Sequence, residues 1–117
     1  MQVTLWHNPR CGKSRQTLAL LQEHGAEVTV RRYLDDPPSE EEIRRALKAL
    51  GCEARGLMRK KEATYRELGL GSEALTEADL VEAMVKHPRL IERPLAWVGE
   101  RAALGRPPEQ VLPLLQG

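Results

Sequence analysis

Residues 3–6 alternate apolar with polar or amphipathic positions, a period of two that predicts a short strand. A loop follows over 7–13. Ser14 then stands where a cap would start a helix over 15–24, with Leu18 and Leu21 turned inward and Gly25 ending it. Residues 27–33 place Val28 and Val30 on one face, a second strand that a helical crossover should leave parallel to the first. Asp35-Asp36-Pro37-Pro38 breaks the pattern. Ser39 and Glu42 then form a capping box, and Ile43, Ala46, Leu47 and Leu50 recur at helical spacing before Gly51. Short helical pieces are expected around Leu57 and over 65–68. A second box, Thr76 with Asp79, opens a helix carrying Leu80, Ala83, Met84 and His87 up to Pro88. Residues 95–98 and 102–104 read as a hairpin turning at Gly99-Glu100, and Pro107-Pro108 starts a last helix to about residue 115, which Pro113 should shorten or kink.

The predicted order is therefore β-α-β, a helical block, then β-β-α. It implies an α/β fold with a four-stranded mixed sheet. The 117 residues amount to one domain, large enough to bury a core without a disulfide or a metal. A hydrophobic fraction of 41% with 30% charged residues excludes a disordered or collagen-like chain. No apolar stretch approaches the roughly 20 residues that span a bilayer, and the first residues run into a strand without a charged-then-apolar leader. The expectation is a soluble, cytoplasmic protein with no membrane partner. A net charge of +1 gives none of the basic excess of a nucleic-acid binder. Arginine nevertheless outnumbers lysine 13 to 5, a bias that suits planar recognition of oxyanions.

Two cysteines, Cys11 and Cys52, and three isolated histidines leave no zinc-like spacing, so no metal is expected. Cys11 follows a predicted strand within one turn of a helix start. Amide hydrogens and the helix dipole there favour a thiolate, as do Arg10, Lys13 and Arg15 if they face the sulfur. Ser14, not a second cysteine, lies three residues on, so Cys11 cannot close a disulfide within its own loop. Thr17 likewise stands where a low-molecular-weight phosphatase loop carries arginine.

The run His7-Asn8-Pro9-Arg10-Cys11-Gly12-Lys13-Ser14-Arg15 resembles the HNPxCxxSR signature of the ArsC family, the glutaredoxin-dependent arsenate reductases. The likeness continues through Tyr33-Leu34, Leu57-Met58-Arg59-Lys60, Tyr65 to Leu70, His87-Pro88, Ile91-Glu92-Arg93-Pro94 and Leu104-Gly105-Arg106-Pro107. It is similar to a short branch of the ArsC/Spx thioredoxin-like superfamily. The resemblance implies a single thioredoxin-like domain over 1–117 with a helical insertion at about 37–88. It also implies Cys11 as nucleophile, Arg59, Arg93 and Arg106 as oxyanion-binding catalytic residues, and Pro94 as the cis proline beside the cysteine. Ser14 would be structural near the site.

His7 matches the signature histidine, and two readings stand: it tunes the thiolate or moves a proton, or it is a loop residue bonded to backbone. The implied reaction is reduction of arsenate, or a similar oxyanion, to arsenite. No cofactor would be bound; glutathione or another thiol would serve as co-substrate, with glutaredoxin or thioredoxin as reductant. The protein is expected to be a monomer. Two alternatives remain at this point. One is an Spx-like regulator that binds RNA polymerase, although Ser14 removes the CxxC switch many such proteins use. The other is a generic glutathione-linked thiol reductase, for which three oxyanion-binding arginines would be unnecessary. Cys52 carries no matching role.

Overall fold

The computed structural model describes residues 1–116. They fall into two compact units, one formed by Met1–Asp36 together with the chain from Arg93 onward, the other by Pro37–Glu92.

The first unit is built on a four-stranded sheet. Strand β1 (Gln2–Trp6) leads to helix α1 (Gly12–Glu23) and strand β2 (Glu27–Arg31). Strands β3 (Leu95–Val98) and β4 (Arg101–Leu104) form the hairpin, closed at Gly99 with φ of 59°. The order is β2-β1-β3-β4, with β1 parallel to β2 and antiparallel to β3, and β3 antiparallel to β4. This is the predicted mixed sheet.

Val3 and Leu5 alternate onto one face, where they are buried with Leu21, Ala96, Val111 and Leu114. The opposite face carries Trp6 and Trp97, their ring centroids 5.7 Å apart, with the Arg31 guanidinium 5.5 Å above Trp6.

Several element ends differ from the sequence reading by one or two residues, His87 for instance capping the helix that ends at Lys86 instead of lying within it, and three differences have a clear local reason. Helix α1 begins at Gly12, because Arg15 N–H already bonds to Cys11 C=O at 3.0 Å; Cys11 is the N-cap and Ser14 lies inside the first turn. Strand β2 stops at Arg31, since the amides of Asp35 and Asp36 both turn back to the Arg32 carbonyl. Val28 packs against the core, whereas Val30 is 42% exposed. The last helix, Pro108–Leu115, is a 3₁₀ helix. Pro113 within it has no N–H, and its ring would collide with the carbonyl four residues back in an α-helix.

The second unit contains α2 (Glu40–Leu50), a 3₁₀ turn at Ala54–Leu57, α3 (Ala63–Glu67), α4 (Glu77–Lys86) and a 3₁₀ turn at Pro88–Leu90. Both predicted capping boxes are present. Ser39 and Glu42 satisfy each other's amides at 3.0 and 3.1 Å, and Thr76 and Asp79 do so at 2.9 and 3.2 Å. Gly51 closes α2 with a left-handed φ of 66°. Ile43, Ala46, Leu57, Leu80, Met84 and Leu90 are fully or almost fully buried.

The Ser39 cap yields a stability prediction. Ser39→Ala removes the acceptor for the Glu42 amide and should lower stability by about 1 kcal/mol, seen as a lower urea midpoint at unchanged slope. An unchanged midpoint would mean that the box does not hold α2.

Candidate active site

Sheet register brings distant residues to one end of the first unit. Trp6 pairs with Leu95, and Leu95 pairs with Leu104. Because both pairings are antiparallel, the chain leaving β1, the chain entering β3 and the chain leaving β4 all lie at the same end of the sheet. These three segments are the 7–11 loop, Arg93-Pro94 and Gly105-Arg106.

The loop is folded by its own polar groups. Asn8 Oδ1 accepts the Arg10 amide at 3.0 Å, and Asn8 C=O accepts the Cys11 amide at 3.0 Å. Ser14, fully buried, accepts the Asn8 amide on Oγ at 3.0 Å, and the same Oγ lies 2.7 Å from His7 Nδ1. Ser14 is therefore a hub between helix and loop. The sequence reading of Ser14 as a helix cap is corrected, because Cys11 occupies the cap position.

The His7 ring bonds a side chain instead of backbone; its own amide donates to Arg31 C=O at 2.8 Å. Burial, then the positive charges of Arg32 and Arg15, hold its pKa below the ordinary histidine value. A neutral ring with its proton on Nε2 leaves Nδ1 free to accept the Ser14 hydroxyl, which completes the hydrogen-bond chain.

Cys11 is half-buried. Burial pushes its thiol pKa up, but opposing contributions outweigh it and leave the pKa below the free value. In decreasing order these are the Ser14 amide, the Arg93 charge, the Lys13 amide and the Arg106 side chain. Both amides belong to the first turn of α1 and act on the sulfur from where a cap is normally bonded, although neither closes a hydrogen bond of ordinary cap geometry. Arg106 Nη1 donates to Cys11 Sγ at 3.9 Å and to the Arg93 carbonyl at 3.2 Å. Both cis peptide bonds, Arg93–Pro94 and Arg106–Pro107, follow these two arginines.

Of the expected residues, the structure thus brings Cys11, Arg93, Arg106 and Pro94 to one end of the first unit, with His7 and Ser14 in the adjoining loop. Arg59 belongs to the second unit. Its Nη1 donates to Arg89 C=O at 3.3 Å and pairs with Glu62 at 3.5 Å.

Cys52 is also in the second unit, in a depression of about 550 Å³ lined by Arg44, Lys48, Glu53 and Glu77 among others. Burial, then the negative charge of Glu77, push its thiol pKa up. The two thiol pKa values are therefore shifted in opposite directions. Among the described residues no cluster of three or more histidine, cysteine, aspartate or glutamate side chains is arranged to hold a metal, and no helix is long and apolar enough to cross a membrane.

Sequence reasoning named Gly105 and Thr17 but gave neither a role at the site. Gly105 N–H bonds to Pro94 C=O at 2.9 Å, and Thr17 Oγ1 donates to the carbonyls of Lys13 at 2.8 Å and Gly105 at 3.4 Å. The inner face of α1 carries Ser14 and Thr17 beside Leu21, and a polar residue one turn before Leu21 was the available signal.

A family model described as ArsC family matches residues 6–114. The chain is 50% identical over 115 residues to an uncharacterized Escherichia coli protein, YfgD, covering 97% of each. It is 43% identical over 111 residues to an arsenate reductase of Neisseria meningitidis serogroup B, covering 94% of this chain and 95% of that one. A solved structure of an arsenate reductase from Vibrio cholerae superposes with a TM-score of 0.95 at 49% identity, covering 97% and 98% of the two chains.

The opposed shifts of the two thiols are directly measurable. Alkylation by iodoacetamide, followed by peptide mass analysis across pH, should label Cys11 faster than Cys52 at neutral pH. The midpoint should lie below that of free cysteine for Cys11 and above it for Cys52, since a lowered pKa keeps the thiolate to lower pH. Reversed order would contradict the electrostatics described above.

Proposed function

The chain belongs to the ArsC family, and from that premise we propose that it reduces arsenate to arsenite through Cys11 and an external thiol. The fold is thioredoxin-like, with βαβ and ββ segments in one mixed sheet. The observation that supports the reading most is a thiol whose pKa is lowered, with a guanidinium 3.9 Å from its sulfur.

Arsenate at neutral pH is a mono- or dianion with tetrahedral oxygens. A thiolate approaching it meets electrostatic repulsion, which positive charge at the site removes. Arg93 and Arg106 are assigned that role, each guanidinium offering charge-assisted hydrogen bonds worth roughly 1.5–3 kcal/mol. Arg59 is proposed as the third oxyanion ligand on the family signature. The Cys11 thiolate then attacks arsenic, a sulfur–arsenic bond forms, and one arsenate oxygen leaves as water after taking up two protons.

Reduction follows when an external thiolate attacks the Cys11 sulfur. The sulfur–arsenic bond breaks, its electron pair stays on arsenic, and As(V) becomes As(III) as the two sulfurs join in a disulfide. A further thiol exchanges with that disulfide and frees Cys11. Glutathione is proposed as the first thiol and glutaredoxin as the protein that clears the mixed disulfide, with thioredoxin as the other reductant to test. Ser14 supports dependence on an outside thiol, since its buried hydroxyl occupies the place of a second loop cysteine.

His7 is proposed as a neutral positioning group for the loop. A charged imidazole is disfavoured by its burial and by Arg32 and Arg15.

Arsenite release with glutathione plus glutaredoxin, and separately with thioredoxin, tests the reading. Cys11→Ser should abolish turnover, while Cys52→Ser should retain most of it. Full activity in Cys11→Ser rules out the covalent route, and equal losses in both variants would implicate an internal disulfide. Arg93→Lys replaces a planar fork by a point charge and should raise the arsenate KM about tenfold; an unchanged KM would remove Arg93 from the oxyanion site.

A further inference from the structure

Arg106 reaches Cys11 from the end of β4, and the residue before it is pressed against the helix that carries Cys11. Gly105 is buried, its amide bonds to Pro94 C=O at 2.9 Å, and its carbonyl accepts the Thr17 hydroxyl at 3.4 Å. A Cβ built on Gly105 would overlap Thr17 Oγ1, stand 2.8 Å from Pro94 Cγ and meet Thr17 Cγ2 at 3.0 Å. None of these atoms is the free end of a flexible chain. Pro94 is a ring, and Thr17 is β-branched within α1, its hydroxyl held by Lys13 C=O at 2.8 Å. The backbone at 105 has no positive φ that would demand glycine, so glycine is required there for space alone.

We propose that Gly105 is a positioning residue for Arg106: the missing side chain lets the end of β4 close onto Thr17 and Pro94, which sets the reach of the Arg106 guanidinium to the Cys11 sulfur. The geometry is a lever of fixed length. Cys11 caps α1 and Thr17 lies further along the same helix, so sulfur and stop belong to one rigid element. Any side chain at 105 lifts the following residue away from that element. The guanidinium then loses its 3.9 Å approach to Sγ and its 3.2 Å bond to Arg93 C=O, or Arg106 must change rotamer to keep them. The contribution of this inference to catalysis rests on the proposed function, but its geometric claim does not.

The test is titration of the Cys11 thiolate by ultraviolet absorbance in a Cys52→Ser background, alongside arsenate kinetics. Gly105→Ala should raise the Cys11 pKa and raise the arsenate KM about tenfold, with a smaller change in kcat. Gly105→Ala/Thr17→Ala removes two of the three obstructing atoms and should bring the titration back toward the wild-type value. A fold defect unrelated to Arg106 would not be repaired in this way. If Gly105→Ala titrates like the wild type, the Arg106 side chain absorbs the shift and the inference is wrong. If that single variant does not fold, the double variant is compared with Thr17→Ala alone: a higher Cys11 pKa in the double variant supports the proposal, because Pro94 still obstructs, and equal values overturn it. Should the wild type fail to reduce arsenate, the titrations still decide this point, so the two failures are distinguishable.

Discussion

Ionisation of a half-buried sulfur sets the terms for the rest of this molecule, because the same burial that shields Cys11 from water opposes the charge it must carry. Two sources of positive potential offset that cost. The first turn of α1 presents amide hydrogens, and Arg93 and Arg106 present guanidiniums. A unit charge at about 4 Å contributes roughly 4 kcal/mol at an effective dielectric near 20, and less at a sulfur that water still reaches. Together with the amides, the guanidiniums outweigh partial desolvation, so the Cys11 pKa falls below the free value. Cys52 shows the contrary case: burial and the negative charge of Glu77 push its thiol pKa up.

The sheet makes the convergence possible. Residues 11, 93 and 106 are far apart in the chain, yet two antiparallel pairings, Trp6 with Leu95 and Leu95 with Leu104, bring their segments to one end. A one-residue slip in either pairing would turn the core-facing residues outward, so packing of Val3, Leu5 and Ala96 holds the register. The stability of the core and the placement of the arginines are thereby the same constraint. Fine adjustment comes from small contacts, the Ser14 hub inside the loop and the close approach at Gly105.

Much of this was legible in the sequence, and the exceptions are instructive. The two capping boxes, the hairpin and the βαβ unit follow from local rules about spacing and caps, and local rules suffice for local structure. The signature loop pointed to Cys11, and the Arg–Pro pairs at 93–94 and 106–107 to its cations. Ser14 was misread because a serine ahead of an apolar helical pattern ordinarily is the cap; nothing local reveals that cysteine takes that place and serine turns inward to His7. The contact between Gly105 and Thr17 escaped for another reason. Their contact joins positions 88 residues apart, and no pattern in either segment records how closely the two backbones pass.

The central claim is that neighbouring positive charge, not the loop alone, holds the Cys11 pKa below that of a free thiol. Its most direct test is the absorbance titration of Cys11 after both guanidiniums are neutralised, in Arg93→Gln/Arg106→Gln with Cys52→Ser. A clear upward move of the Cys11 pKa relative to the Cys52→Ser parent is predicted. A titration that does not move would contradict the account.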